Sequence, residues 1–354
     1  MHTDQPNVDN KTDALSCILC ASSAMLVYCA LHDRLFGSAG EWSVAQCTNP
    51  VCGLMWINPR PSAAQLAAAY QTYYTHNVRQ NGSFMRKFYL QLRFGYLASR
   101  FGYGSGKTNV WWKTAGRIAG LLPHRRAAFD ASVMWLPAKS GGKLLEIGCG
   151  AGENLAHLAQ LGWQVQGIEP DHKAASIARS KGLVIIEGNL NEDFFPPESF
   201  DAIVLSHVIE HLDNPLEAIK NCRTLLKPNG LLVMLTPNTD AFGHRRYREN
   251  WLHLDPPRHL FLFNKTAICR LATLAGFTDY RSFSTLRDAN WTLAGSRALR
   301  NTGHYQMGCL PFAARLLGMW LLCTEWLSMC FNPDCGEEIV LISRQCDDSA
   351  NNSW

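Results

Sequence analysis

Leu144-Leu145-Glu146-Ile147-Gly148-Cys149-Gly150-Ala151-Gly152 constrains this chain more than any other stretch. A short apolar run ends at three glycines spaced by single residues, and a helical pattern begins at once with Glu153. Glycines at such a junction let the backbone turn sharply and approach a ligand at a helix N-terminus. Two ligand classes use that geometry, and spacing separates them. Dinucleotide binders want G-x-G-x-x-G, which needs a glycine at position 153, where Glu153 stands. The glycine falls at 152 instead, and an acid, Glu146, sits inside the strand. A carboxylate there suits a cation better than a pyrophosphate. The loop therefore favours a sulfonium nucleoside with an ammonium group over NAD.

Short apolar runs alternate with helical patterns from about residue 140 to 345, which predicts an α/β domain. Strands are expected at Lys143–Ile147, Gln164–Ile168, Val184–Ile186, Ala202–Leu205, Leu231–Leu235, Tyr280–Phe283 and Glu338–Ile342, the last as an edge or terminal strand. Helices are expected at Glu153–Leu161, His172–Lys181, Pro215–Leu226 and Lys265–Ala275. At the end of the second strand, Glu169 could accept both hydrogen bonds of a ribose diol, while Asp171 is the better helix N-cap.

The E-x-G-C-G-x-G loop, Ile168-Glu169-Pro170-Asp171, the run Phe200 to Leu212 (FDAIVLSHVIEHL) and Pro228-Asn229-Gly230 together resemble the class I S-adenosylmethionine-dependent methyltransferases. The resemblance covers about residues 140–345. It implies a Rossmann-like domain with a mostly parallel seven-stranded sheet and helices on both faces. It also implies S-adenosylmethionine as methyl donor. By the resemblance, Glu146, Gly148 and Gly150, within the loop that also holds Cys149 and Gly152, would contact the methionine part of the cofactor. Glu169 would hold the ribose, and Ser206 and His207 would line the pocket. Where many relatives carry an acid for the adenine amino group, this chain offers Asn189.

Ahead of that domain, residues 1–60 carry Cys17, Cys20, Cys47 and Cys52 as two close pairs, a spacing suited to tetrahedral structural zinc. Four buried thiols are the bland alternative, and Cys29 could compete as a ligand. Cys52 to Pro61 resembles the end of a zinc-ribbon-like module found ahead of some of these methyltransferases. The polar start, Met1 to Ser16, lacks the apolar core of a signal peptide, so a cytoplasmic location is expected.

Residues 61–139 form a basic, aromatic region expected to be helical. No Asp or Glu occurs between Glu41 and Asp130, whereas eleven cations do, so a net charge of +4 conceals a strongly basic segment. This is either a solvated face or a surface that meets an anion: lipid headgroups, a diphosphate-bearing substrate or, least of all, nucleic acid. Gly104-Ser105-Gly106-Lys107-Thr108 mimics a phosphate loop, but Phe101 occupies the position of its required glycine, so it reads as a turn. Cys309 to Phe331 is broken by Pro311, Arg315 and Glu325 and fits an amphipathic helix rather than a membrane span. Peripheral membrane contact through 84–126 or 309–331 is a further expectation. Residues 346–354 are a polar tail.

Past the fifth strand lies a loop rich in His and Arg, placed where the binding crevice of such folds opens. His259 is expected to act as a base or acceptor-orienting group, with His211 second, although both could simply hold turns. Arg245, Arg246 and Arg258 would suit an anionic acceptor. The expected acceptor is a small molecule or a glycan intermediate, with O-methylation in cell-surface polysaccharide metabolism as its setting. The rivals are a quinone or lipid-like phenol, a cofactor-binding interaction module without turnover, and an NAD-dependent dehydrogenase.

Overall fold

The computed structural model describes residues 16–71, 84–104, 106, 108–190, 194–305 and 312–346. The N-terminal part is an antiparallel meander of β1 (Ala24–Leu31), β2 (Trp42–Cys47) and β3 (Met55–Asn58). The basic region follows as α1 (Ala63–Gln71), α2 (Phe84–Arg100), α3 (Val110–Ala119) and α4 (Pro123–Ala131). Helices α2 and α3 touch backbone to backbone. A side chain at Gly95 would strike the Trp112 carbonyl, and one at Gly116 the Tyr96 amide nitrogen. The phosphate-loop mimic lies between these two helices with Gly104 and Gly106 in turns, and Ser105 and Lys107 fall outside the described residues.

The α/β part runs β4 (Lys143–Ile147), α5 (Glu153–Gln160), β5 (Gln164–Glu169), α6 (His172–Ser180), β6 (Val184–Glu187), β7 (Phe200–Ser206), α7 (Pro215–Leu225) and β8 (Leu226–Pro237). It continues through α8 (Phe242–Tyr247), β9 (Phe261–Leu262), α9 (Lys265–Leu274), β10 (Asp279–Thr285), α10 (Ala289–Thr302), α11 (Phe312–Phe331) and β11 (Glu338–Arg344). Seven strands make one sheet in the order β10-β11-β8-β7-β4-β5-β6. Its β8-β7-β4-β5-β6 portion is parallel, and β11 pairs antiparallel to both β8 and β10. The expected Rossmann-like sheet is present, mostly parallel as anticipated.

Local chemistry sets the boundaries. Asp171 accepts a bond from the Ala174 amide and starts α6, Asn214 caps α7 ahead of Pro215, and Asn264 caps α9. One expectation needs correcting. β11 is the last strand in sequence but lies inside the sheet, not at its edge. All its residues except Arg344 are buried, as an interior strand covered on both faces requires.

The small meander is completed by the α/β part. β9 pairs with β3 through Met55–Leu262 and Trp56–Phe261, giving a four-stranded sheet in the order β1-β2-β3-β9. One apolar core continues from Cys17, Leu19, Trp42 and Cys52 through Phe261 and Phe263 to Ile268 and Leu271 of α9.

Candidate active site

The glycine loop leaves β4 with Gly148, Gly150 and Gly152 all at positive φ (63°, 55° and 77°), a backbone region open to glycine at little cost. Space above Gly150 is open, with no atom within 4 Å of an added Cβ, whereas a Cβ on Gly148 would strike Val208 at 2.5 Å. The loop is thus held against the residues that follow β7. Cys149 turns its sulfur into the core beside Gly167, so only its backbone faces the loop.

Glu146 is buried, and burial raises its carboxyl to about 7. Oε1 accepts from Asn154 Nδ2 at 2.8 Å, and Oε2 has no hydrogen-bond partner among the described residues. An orphaned buried carboxylate oxygen beside an open glycine loop fits the ammonium group of S-adenosylmethionine. Glu169 accepts from the Gly150 amide at 2.7 Å and the Asp171 amide at 2.9 Å, which aims its carboxylate along the loop. A carboxylate held in this way is an acceptor of the kind a ribose hydroxyl needs. Asn189 lies exposed just beyond β6, and Ser206 ends β7 half-buried. The donor set therefore fits the cofactor that the glycine spacing favours.

Immediately after Ser206, His207 adopts a left-handed conformation (φ 54°) that swings its ring between two buried carboxylates. Nε2 lies 2.8 Å from Glu338 Oε1 and Nδ1 lies 3.3 Å from Glu210 Oε1. Burial alone would depress this imidazole, but the two carboxylates prevail and raise it to about 10. Burial likewise opposes charge on Glu210, yet its bond to His207 brings that carboxyl down to about 2. His207 is therefore a fixed cation at neutral pH. It positions Glu210, which also accepts from Thr236 Oγ1 at 2.9 Å.

Glu210, His211 and His259 come together with their ligand atoms within 4.8 Å of one another. His211 Nδ1 lies 2.9 Å from the Arg258 carbonyl and 3.0 Å from Tyr70 Oη, and His259 Nδ1 lies 2.7 Å from the His253 carbonyl. A carbonyl only accepts, so each Nδ1 carries a proton and each ring turns its Nε2 away from that carbonyl, His259 Nε2 lying 4.0 Å from Asp255 Oδ2. The two rings meet edge to face at 4.7 Å. Burial, reinforced by His259, pushes His211 down to about 4, so it is neutral at physiological pH. The sequence reading thus chose two histidines that the fold unites, one from the end of β7 and one from the loop after α8.

Arg258 requires a correction. It does not face an acceptor, because its guanidinium is wholly buried. Nη1 and Nη2 each lie 2.8 Å from the Asp33 carboxylate, Nε bonds Asp255 at 3.1 Å, and the group stacks over Phe36 at 4.4 Å. Asp33 belongs to the N-terminal module, so Arg258 ties that module to the segment carrying His259. Arg245 and Arg246 stay exposed on α8. Arg245 donates to the Asp240 carbonyl, and Arg246 lies over the Tyr247 ring.

Asp33, Glu210, Asp255 and Glu338 escaped the sequence reading. Glu210 had a signal, since it sits beside His211 in a motif already singled out. Glu337 and Glu338 opening an apolar run was a second signal, because acids rarely enter buried strands without partners. Asp33 and Asp255 had none.

The four predicted metal cysteines converge. Cys17 and Cys52 sulfurs lie 3.6 Å apart, Cys20 and Cys47 sulfurs 3.4 Å apart, and all four fall within 4.8 Å of one another. Tetrahedral zinc with bonds of about 2.3 Å would separate sulfurs by roughly 3.8 Å, so these four could hold zinc. Cys29 is exposed and is not one of the cluster.

A family model described as a methyltransferase domain matches residues 122–282. A ubiquinone biosynthesis O-methyltransferase of Bradyrhizobium diazoefficiens is 34% identical across 44% of this chain and 68% of its own length. The chain belongs to the S-adenosylmethionine-dependent methyltransferases. A second ubiquinone biosynthesis O-methyltransferase, from Rhodopseudomonas palustris, is 33% identical, and the chain spans only 57% of its length. Among solved structures, a methyltransferase of Thermotoga maritima described as a possible histamine N-methyltransferase aligns over 74% of this chain and 94% of its own. Its TM-score is 0.40 at 19% identity. As its family does, this methyltransferase uses S-adenosylmethionine as methyl donor, and a dehydrogenase reading is set aside. Among the described residues no helix is long and apolar enough to cross a membrane.

Proposed function

We propose that this methyltransferase methylates a hydroxyl oxygen on a phenolic acceptor of the quinone-precursor type, with His259 and His211 receiving the hydroxyl. When bound, S-adenosylmethionine supplies a methyl group on a positively charged sulfur. The chain's own residues hold the acceptor oxygen and take its proton. The carrying observation is the pair of imidazoles, each held through Nδ1 by a backbone carbonyl, beside Glu210 and next to the residues that pack on the glycine loop. An unprotonated imidazole accepts a hydroxyl hydrogen, and a nearby carboxylate stabilises the imidazolium that results. Glu146, Gly148, Gly150 and Gly152 would hold the methionine part, Glu169 the ribose and Asn189 the adenine. The names of the relatives support a phenolic acceptor.

A second reading keeps the acceptor as a glycan intermediate. It is favoured by Arg245 and Arg246, exposed after β8 where an anionic carrier group could meet them.

The test is turnover of alkylated catechols by wild type and His259→Ala, with cofactor affinity measured by calorimetry. Loss of about 10²–10⁴-fold in kcat at unchanged S-adenosylmethionine affinity is expected. Full turnover by the variant would sink the assignment of His259. Turnover of diphosphate-linked sugars but not phenols would move the acceptor to the second reading.

A further inference from the structure

We propose that α11 and the α3–α4 turn seat the protein on the surface of an anionic lipid bilayer. The outer side of α11 is an apolar stripe at helical spacing. Met319, Trp320, Trp326, Leu327 and Phe331 are exposed, Trp320 at 59% and Phe331 at 91%, while Leu321 and Glu325 face inward. Soluble surfaces rarely leave two tryptophans and a phenylalanine in one uncharged row. A second row follows the outer face of α3 into the turn: Val110, Trp111, Ile118, Leu121 at 78%, and Leu122. The second row runs into α4, and Ala127 of α4 and Met329 of α11 pack on one apolar cluster.

Charge decides the occupant. Arg86, Lys87, Arg117 and Arg125 are exposed on α2–α4, the stretch that carries the second row, and the segment carries no acid before Asp130. Asp130 is buried and already taken by Tyr96, Arg100 and, at 3.8 Å, Arg126. A second copy docking by this face would set cation against cation, whereas lipid phosphates would neutralise the belt while the aromatic rows enter the acyl boundary. α11 is too polar to span, so the contact is peripheral. Neither row touches the glycine loop or the histidine pair, so the inference stands apart from the identity of the acceptor.

Flotation with vesicles tests it. One set is phosphatidylcholine alone, and the other contains about one-third phosphatidylglycerol, near the charge of an anionic membrane leaflet. Wild type should float with the anionic vesicles and be released by salt. Arg117→Ser and Arg125→Ser should each weaken binding about fivefold, and Trp320→Ser with Trp326→Ser at least tenfold. S-adenosylmethionine affinity in every variant confirms folding. Failure of wild type to float with anionic vesicles would overturn the proposal, as would undiminished binding of the tryptophan variant. A wild-type dimer in sedimentation that the tryptophan variant converts to monomer, without vesicle binding, would instead assign the face to a second copy.

Discussion

Removing the guanidinium of Arg258 should cost this protein a large share of its stability without touching its cofactor. Arg258 stands between Asp33 and Asp255, all three buried. In Arg258→Met, the stem volume is roughly kept while two carboxylates lose their counter-ion. Asp33 keeps the Leu35, Phe36 and Ser38 amides at 2.9–3.1 Å but loses two charge-assisted bonds at 2.8 Å. At about 1.5–3 kcal/mol for each bond to a charged group, the loss is ~3–6 kcal/mol. That agrees with the ~3–5 kcal/mol typical of breaking a buried ion pair from one side. Asp33→Asn is gentler, because it leaves a neutral Arg258–Asp255 pair and should cost ~1–2 kcal/mol as a single weakened contact. Burial tends to raise Asp33, yet the bonds from Arg258 hold it far below the ordinary carboxylate range. A depressed carboxyl stabilises the fold above its unfolded pKa and loses that contribution as pH falls through its folded one. The wild-type advantage over Asp33→Asn is therefore complete at neutral pH and shrinks only in acid, below about pH 4. Urea unfolding of wild type, both single variants and the double variant gives the coupling energy. A coupling under about 0.5 kcal/mol, or Arg258→Met within about 1 kcal/mol of wild type, would refute the triad. Weakened acceptor binding in a fully stable Arg258→Met would restore its substrate role.

Glu146 makes cofactor binding pH-dependent. Its carboxyl, raised to about 7 by burial, must ionise to pair with an ammonium group, so affinity for S-adenosylmethionine should tighten as pH rises toward 7 and level off above it. Calorimetry on Glu146→Gln should give weaker, pH-independent binding, and a retained pH slope would contradict the assignment. For the cysteine cluster, metal analysis should find one zinc per chain, and Cys17→Ser or a chelator should lower Tm by several degrees. Absence of zinc with unchanged Tm would return the four cysteines to ordinary core thiols.

The parallel half of the sheet was legible because short apolar runs recur in its strands and its helices carry Asp, Asn and Pro start signals. Lys143–Ile147 was placed to the residue. The glycine loop was legible for the same reason, since spacing alone separates its ligand classes. β11 misled because an antiparallel strand inserted between β8 and β10 has the same apolar pattern as a strand at the end of a sheet. The histidine pair could be nominated one residue at a time, but not its geometry. His207, Glu210 and Glu338 meet only through a positive-φ turn and a strand 128 residues away in sequence from Glu210. Arg258 reads as a substrate arginine in sequence because its partner, Asp33, is 225 residues distant.

The rung between β3 and β9 makes the cysteine cluster and the histidine pair mechanically one object. Phe261, which pairs with Trp56, is two residues beyond His259, and the Ile57 amide donates to the Leu260 carbonyl between them. A chain severed near residue 60 would yield two pieces, one with an unfinished sheet and the other with a loose strand beside His259. Neither half could be transplanted intact. Stripping an ion from the four sulfurs should be felt not as a distant softening but as slack in the very segment that aims His259.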